Sequence, residues 1–281
     1  MMTTALKGFI RTAAALAALC AFAATANEGP RLQVAPINSH DVASLQNGAK
    51  LFVNYCLNCH TAGYMRYNRL RDLGLTETQI KDNLVFTGVK VGELMQVGKD
   101  RKDAKEWFGV APPDLTVAAR SRSSAAGSGS DWIYTYLRSF YRDPSRPTGW
   151  NNLVFPNVGM PHVLWQLSGQ AQLHEEVFES EHAAQAALIA TRGVAQLEES
   201  HEIKDGKTTE RFALKTLVTA PGGLSQVDYD KAVTDLVNYM TYMSEPARLE
   251  RRQIGFYVLL LLGVLFVLVF ALKKSYWKDL H

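Results

Sequence analysis

Nineteen consecutive residues from Ile254 to Leu272 (IGFYVLLLLGVLFVLVFAL) carry no charge, close to the ~20 that a helix needs to cross a bilayer. Such a run dictates a membrane helix, and it commits the chain before it to one side of a membrane. Arg248, Arg251 and Arg252 flank it on one side and Lys273, Lys274 and Lys278 on the other, so the balance of basic residues does not orient it. The N-terminus does. Lys7 and Arg11 give a positive start, Thr12 to Ala24 is almost wholly small and apolar, and Ala24-Thr25-Ala26 is an A-x-A-like cleavage site. Residues 1–26 are therefore expected to be a signal peptide that takes Cys20 with it, 27–253 an exported domain, 254–272 a single-pass transmembrane helix and 273–281 a cytoplasmic tail.

Charge and cysteine content narrow the exported domain further. From the whole chain's formal +3, the signal removes +2 (Lys7, Arg11) and the tail +2 (three lysines less Asp279), which leaves −1. A nearly neutral domain has no electrostatic footprint for nucleic acid or another polyanion. With 47% hydrophobic residues in the chain, disorder is excluded as well. Only Cys56 and Cys59 remain after export, in a compartment that permits disulfides. Two cysteines spaced C-x-x-C are not a general disulfide framework.

Pattern along the domain predicts an all-α fold with long loops. Asn27 to Ala43 is polar and proline-punctuated. Ser44 is placed to cap a helix to about Tyr55, with Leu45, Ala49, Phe52 and Val53 on one face. Thr76-x-x-Gln79 reads as a capping box. Gly88 to Asp114 and Ser121 to Ser130 read as loop, and Asp131 as the start of a helix with Trp132, Tyr136 and Phe140 at helical spacing. Asp143 to Gly159 is irregular, 170–200 is rich in alanine and glutamate and reads as helical, and Ser225-x-x-Asp228 caps a last helix.

The chemistry lies in Cys56-Leu-Asn-Cys59-His60. C-x-x-C-H is the attachment pattern of c-type haem. Two thiols one turn apart reach the two vinyl groups of a porphyrin edge, and the adjacent histidine is set beneath the iron. Zinc would want about four ligands, and there is no second cysteine pair. A redox dithiol would want a thioredoxin-like surround. Export favours haem, and a haem that only carries electrons needs a sixth ligand. Methionine sulfur favours ferrous iron. Met65 is too near His60 to cross to the opposite face, and Met240 and Met243 fall on the last helix. Met95 lacks a distinctive context, whereas Met160 sits in a stiff Asn-Val-Gly-Met-Pro-His strap. His162 is the rival ligand.

SLQNGAKLFVNYCLNCHTAGYMRYNRL, APPDLTVAARSR, the Gly-Met-Pro around Met160 and the single C-terminal anchor together resemble the cytochrome c1 family, in a bacterial version. The resemblance covers most of 44–165 and 225–281. It implies a cytochrome c-like haem domain with insertions. One haem c would be covalently bound through Cys56 and Cys59, with His60 and Met160 as axial ligands. The Pro-Pro-Asp-Leu segment, Pro112 to Leu115, would lie on the proximal side, where a backbone carbonyl, as at Pro113, would hold His60 Nδ1–H. Arg122, with Arg120 as the alternative, would pair with a haem propionate. Tyr64, Arg66, Tyr67 and Arg69 match the family pattern without assigned roles.

By the same resemblance the chain is the electron-transfer subunit of a ubiquinol–cytochrome c reductase, with no catalysis of its own. It would accept electrons from a Rieske iron–sulfur protein, donate to a soluble or anchored cytochrome c, and pack beside cytochrome b in a dimeric complex of the bacterial inner membrane, its haem domain in the periplasm. The alternatives are an anchored monohaem cytochrome feeding a terminal oxidase and a haem enzyme with an open sixth position. Residues 166–222 match the family least. Their acidic clusters, Glu175, Glu176, Glu179 and Glu181 and then Glu198, Glu199 and Glu202, read as a solvated helix face or as a docking surface for a basic cytochrome c.

Overall fold

The haem motif is carried by a helix that begins at Asp41, whose carboxylate accepts from Ser44 N at 3.0 Å. The computed structural model describes residues 29–97, 100–191, 193–204 and 207–278; the signal expected at 1–26 lies outside the described residues. Helix α1 (Val42–Leu51) is thus capped three residues earlier than Ser44. It gives way at Phe52–Cys56 to a π-helical turn in which Leu57 N donates to Phe52 O at 3.0 Å. The wider turn ends on Cys56, so the anticipated α-helix to Tyr55 is broken one turn short. Such turns recur where a helix must re-aim a functional side chain.

The capping box Thr76/Gln79 opens α2 (Glu77–Leu84) as its sequence requires. The segment 88–114 is less irregular than its glycines imply. Strand β2 (Leu94–Met95) pairs antiparallel with β1 (Ala62–Arg66), and Asp100 caps α3 (Arg101–Phe108). A short helix α4 (Ala118–Ser121) precedes α5 (Gly129–Leu137). Helix α5 starts two residues before Asp131, because Ser128 is the cap and Asp131 the returning member of its box. The helix ends at Leu137, so Phe140, expected on it, instead opens β3 (Phe140–Arg142), which pairs antiparallel with β4 (Trp150–Asn152) inside the stretch expected to be irregular. A single turn, α6 (Trp165–Ser168), follows.

The expectation of an all-α domain fails most clearly between 170 and 220. There β5 (Ala171–Phe178), β6 (Ala195–Lys204) and β7 (Lys207–Thr219) make an antiparallel sheet in the order β5-β7-β6, with α7 (Glu181–Ala190) between the first two in sequence. With the two-stranded pairs β1–β2 and β3–β4, the described residues form a mixed α/β domain with three sheets. Alanine and glutamate favour helix, but propensity is a weak prior, and cross-strand pairing overrides it here. Ala171↔Thr219 to Phe178↔Phe212 on one side of β7, and Ala195↔Thr216 on the other, fix the register. The acidic clusters are consequently not one helix face. Glu175 and Glu176 lie on β5 and face opposite ways, Glu179 follows the strand, Glu181 opens α7, and Glu198, Glu199 and Glu202 lie on β6, with Glu198 paired to Lys215 Nζ at 2.6 Å.

The core forms where α1 crosses α8 (Gln226–Ser244), capped by Ser225. A Cβ on Gly48 would stand 2.0 Å from Asp235 O, so glycine is what lets the two backbones touch. Ser44 Oγ and Asn47 Nδ2 close the buried Asp235 carboxylate at 2.6 and 2.7 Å, and Phe52 packs on Tyr239 with ring centroids 5.6 Å apart. This contact fixes the helix that ends in the haem motif. Beyond Pro246, α9 (Arg248–Tyr276) holds the uncharged run 254–272, and an 18-residue stretch within Gln253–Tyr276 has a mean hydropathy of 2.9 with none of it buried. It is long and apolar enough to cross a membrane.

Candidate haem site

Cys56 ends the π-turn, and both Cys59 N (3.1 Å) and His60 N (2.9 Å) donate back to its carbonyl. The two cysteines therefore stand one turn apart, and both are free thiols. Burial, reinforced by Cys59, pushes the Cys56 thiol up to about 12. It stays protonated at neutral pH and is inert until it is reacted deliberately.

His60 Nδ1 lies 2.8 Å from Pro113 O, an acceptor that fixes the proton on Nδ1 and leaves Nε2 as the ligand atom. Burial holds the imidazole below its ordinary value, against the opposing pull of the Pro113 carbonyl and the Asp114 charge. It is thus neutral, as a ligand must be. Pro113 is itself held by its neighbour. Asp114 Oδ2 accepts from Thr61 Oγ1 (2.8 Å) and Gly63 N (2.6 Å), and Oδ1 from Thr116 N (2.8 Å) and Oγ1 (2.6 Å), while Leu115 N donates to Thr61 O at 2.8 Å. This clamp ties the chain after His60 to the chain carrying the Pro113 carbonyl. Sequence reasoning picked out the Pro-Pro-Asp-Leu segment, Pro112 to Leu115, but gave Asp114 no role of its own.

Met160 is half-buried against the core, and its Sδ accepts from Tyr136 Oη at 3.4 Å. One sulfur lone pair is used, and another remains. The strap carrying it is anchored by two asparagines. Asn152 Oδ1 accepts from Val154 N (2.9 Å) and Phe155 N (3.1 Å), its Nδ2 donates to Tyr136 O at 2.8 Å, and Asn151 Oδ1 accepts from Asn157 N at 2.8 Å. The rival methionines lie elsewhere: Met65, Met95, Met240 and Met243 are all buried in the core, with Met95 Sδ beneath Tyr239 Oη. His162 is not presented as a ligand. It stacks on Phe140 (4.9 Å between centroids), meets the edge of Trp150, and engages Ser168 Oγ through Nε2 at 2.7 Å. Its role is packing, and burial pushes it down to about 4.

The two arginines part company. Arg122 lies over Trp132, 4.4 Å from the ring centroid, near Phe155 (5.9 Å), and its charge opposes the upward shift that burial imposes on Tyr136. It therefore belongs to the Met160 neighbourhood. Arg120 lines a different cavity with Ser130, Thr241 and Arg248. Of the other residues matching the family pattern, Tyr64 is exposed, Arg66 Nη1 donates to Gly92 O at 2.7 Å, Tyr67 is a core side chain, and Arg69 pairs with Asp72 at 2.8 Å.

A pair of thiols one turn apart, a neutral imidazole with Nε2 available, and a thioether sulfur with a lone pair to spare are the donors that would hold a haem c, which would supply one-electron chemistry. Fold and donor set together describe a c-type cytochrome with a helix able to anchor it in a membrane. The family model for the cytochrome C1 family matches residues 33–187 and 219–280. The chain is 46% identical over 254 residues to a cytochrome c1 of Allochromatium vinosum, covering 90% of this chain and 91% of that one. It is 43% identical to a protein named ammonia monooxygenase gamma subunit from Nitrosomonas europaea, covering 89% of each, and 25% identical to a cytochrome c1 of Rhodospirillum rubrum, covering 85% and 83%. The chain belongs to the cytochrome c1 family. It is the haem electron-transfer subunit of the cytochrome bc1 complex, beside cytochrome b and the Rieske protein, and the family carries haem c. The β6–β7 hairpin lies almost wholly in the gap between the two matched segments.

Proposed function

We propose that one haem c is joined by thioethers to Cys56 and Cys59, with His60 and Met160 as axial ligands. The domain then passes single electrons from the Rieske protein to a soluble or anchored cytochrome c on the periplasmic side of a bacterial inner membrane. The observation that carries this is the 2.8 Å contact between His60 Nδ1 and Pro113 O, which has a purpose if Nε2 is committed to a metal. Bound there, the haem supplies a one-electron couple. The protein's own groups set its direction and keep it closed. His60 is held neutral and oriented, Met160 sulfur favours the ferrous form, Tyr136 draws density from that sulfur, and Arg122 offers a propionate its planar guanidinium. Export by residues 1–26, an anchor at 254–272 and a tail at 273–281 in the cytoplasm complete the reading, in a dimeric complex.

Intact mass spectrometry of the purified subunit tests attachment and processing together. The expected mass is that of residues 27–281 plus one haem, and C56S with C59S should lose the haem. A mass retaining the first 26 residues, or a haem that dissociates in denaturant, contradicts it. Protease treatment of intact spheroplasts should remove the haem domain and spare a fragment containing 254–281.

A further inference from the structure

Arg120 and Arg248 face a cavity of about 550 Å³ whose lining includes none of His60, Met160, Trp132 or Tyr136. The cavity has two carboxylates in its wall, and both are already engaged. Asp131 accepts from Ala35 N (2.7 Å) and from Ser128 N (3.1 Å) and Oγ (2.6 Å), and Glu245 is paired with Arg251. Neither arginine side chain has a hydrogen bond or ion pair among the described residues. The donors to Asp131 are neutral and leave its charge in place, so Arg120, Arg248 and Arg251 stand against Asp131 and Glu245 and the net charge at the cavity is +1. Ser123, also in the wall, accepts from Gly129 N at 3.0 Å and keeps its hydroxyl proton for a ligand.

Position identifies the ligand. Arg248 is the first residue of α9, six residues before Ile254, which is ~9 Å at 1.5 Å per residue. That brings a long guanidinium side chain within reach of a headgroup layer ~5–7 Å thick. Seven and fourteen residues on, the same face of α9 shows Gly255, with open space around it, and the exposed Leu262. A basic, hydroxyl-bearing cavity thus opens above a shallow apolar track.

We propose that this cavity binds the phosphate of an anionic phospholipid from the periplasmic leaflet, with Arg120 and Arg248 pairing to its oxygens, Ser123 donating, and the acyl chains lying along α9. The proposal rests on α9 spanning the membrane, but not on the haem ligands. It predicts that Arg120 has no part in holding a propionate.

The test is native mass spectrometry of the delipidated complex titrated with phosphatidylglycerol. Wild type should bind one more lipid per copy of this chain than the R120Q/R248Q double variant, whose dissociation constant for that lipid should rise at least tenfold. R120K/R248K should retain the site. Excess inorganic phosphate should not displace the lipid. Equal lipid counts in wild type and double variant, or displacement by inorganic phosphate, overturn the proposal. So does efficient cross-linking of S123C to cytochrome b with no change in lipid count, since another subunit would then fill the cavity. The haem spectrum, recorded on every sample, reports separately on the ligand assignment.

Discussion

The Tyr136 hydroxyl donates to Met160 Sδ at 3.4 Å, from a helix whose C-terminal carbonyl, Tyr136 O, is bound by Asn152 of the methionine strap. Donor, strap and helix are thus one unit. A hydrogen bond to the sulfur withdraws density that would otherwise stabilise ferric iron. At a net worth of about 1 kcal/mol, Tyr136→Phe should lower the midpoint potential by ~40 mV for a one-electron couple and leave methionine ligation intact. Redox titration with a near-infrared check of the sulfur-to-iron band measures both, and an unchanged potential would remove Tyr136 from the account.

The strap itself depends on Asn152, which is almost wholly buried and satisfies Val154 N, Phe155 N and Tyr136 O. Asn152→Leu leaves those groups without partners, at about 2–4 kcal/mol. Urea unfolding should show that loss, and the reduced protein should bind carbon monoxide in part, because Met160 would no longer be held in place.

Arg122 and Arg120 separate by their surroundings, the first on Trp132 and the second in the cavity with Arg248. A cation at a propionate favours the less positive ferrous haem. Arg122→Gln should therefore lower the midpoint potential, while Arg120→Gln leaves it where it is. Parallel titrations decide the matter, and a shift in the Arg120 variant alone would reverse the assignment.

Asp114 gives a pH signature. Burial would raise its pKa, but hydrogen bonds from Thr116, Gly63 and Thr61 outweigh that and hold it below the ordinary carboxylate value. A carboxylate lowered in the folded state stabilises the fold above its unfolded pKa, near 4, and loses that contribution as pH falls through the folded value. Asp114→Asn should therefore be less stable than wild type at pH 7, by about 1–2 kcal/mol with the partial exposure of the carboxylate taken into account. The gap should close below pH ~4. Thermal melts across that range test it; a gap independent of pH would mean that packing, not charge, is what the substitution removes.

What was legible in the sequence was whatever rests on local spacing. Cys56, Cys59 and His60 are one turn of chain, the Thr76 and Ser225 caps are four-residue signals, and the apolar run at 254–272 needs no partner. The sheet β5-β7-β6 was hard to read, because along β5 only Ala171 is buried and in β7 the alternation is confined to the buried Phe212 and Leu214. Asp114 and the Asn151-Asn152 pair were given no role for another reason. Their work is hydrogen bonding to backbone groups that only the folded chain brings near, across 53 residues for Asp114 and Thr61. Tyr136 and Trp132 were visible as an aromatic face, but their partners, Met160 and Arg122, were visible only in three dimensions.

The central claim is that Met160 closes the sixth position of the haem held by His60. Anaerobic redox titration of Met160→Leu beside wild type, with carbon monoxide added to each reduced sample, tests it most directly. The account predicts a fall in potential on the order of hundreds of millivolts, within the range that axial ligands set, and carbon monoxide binding in the variant alone. A variant that titrates like wild type and stays closed to carbon monoxide would contradict it.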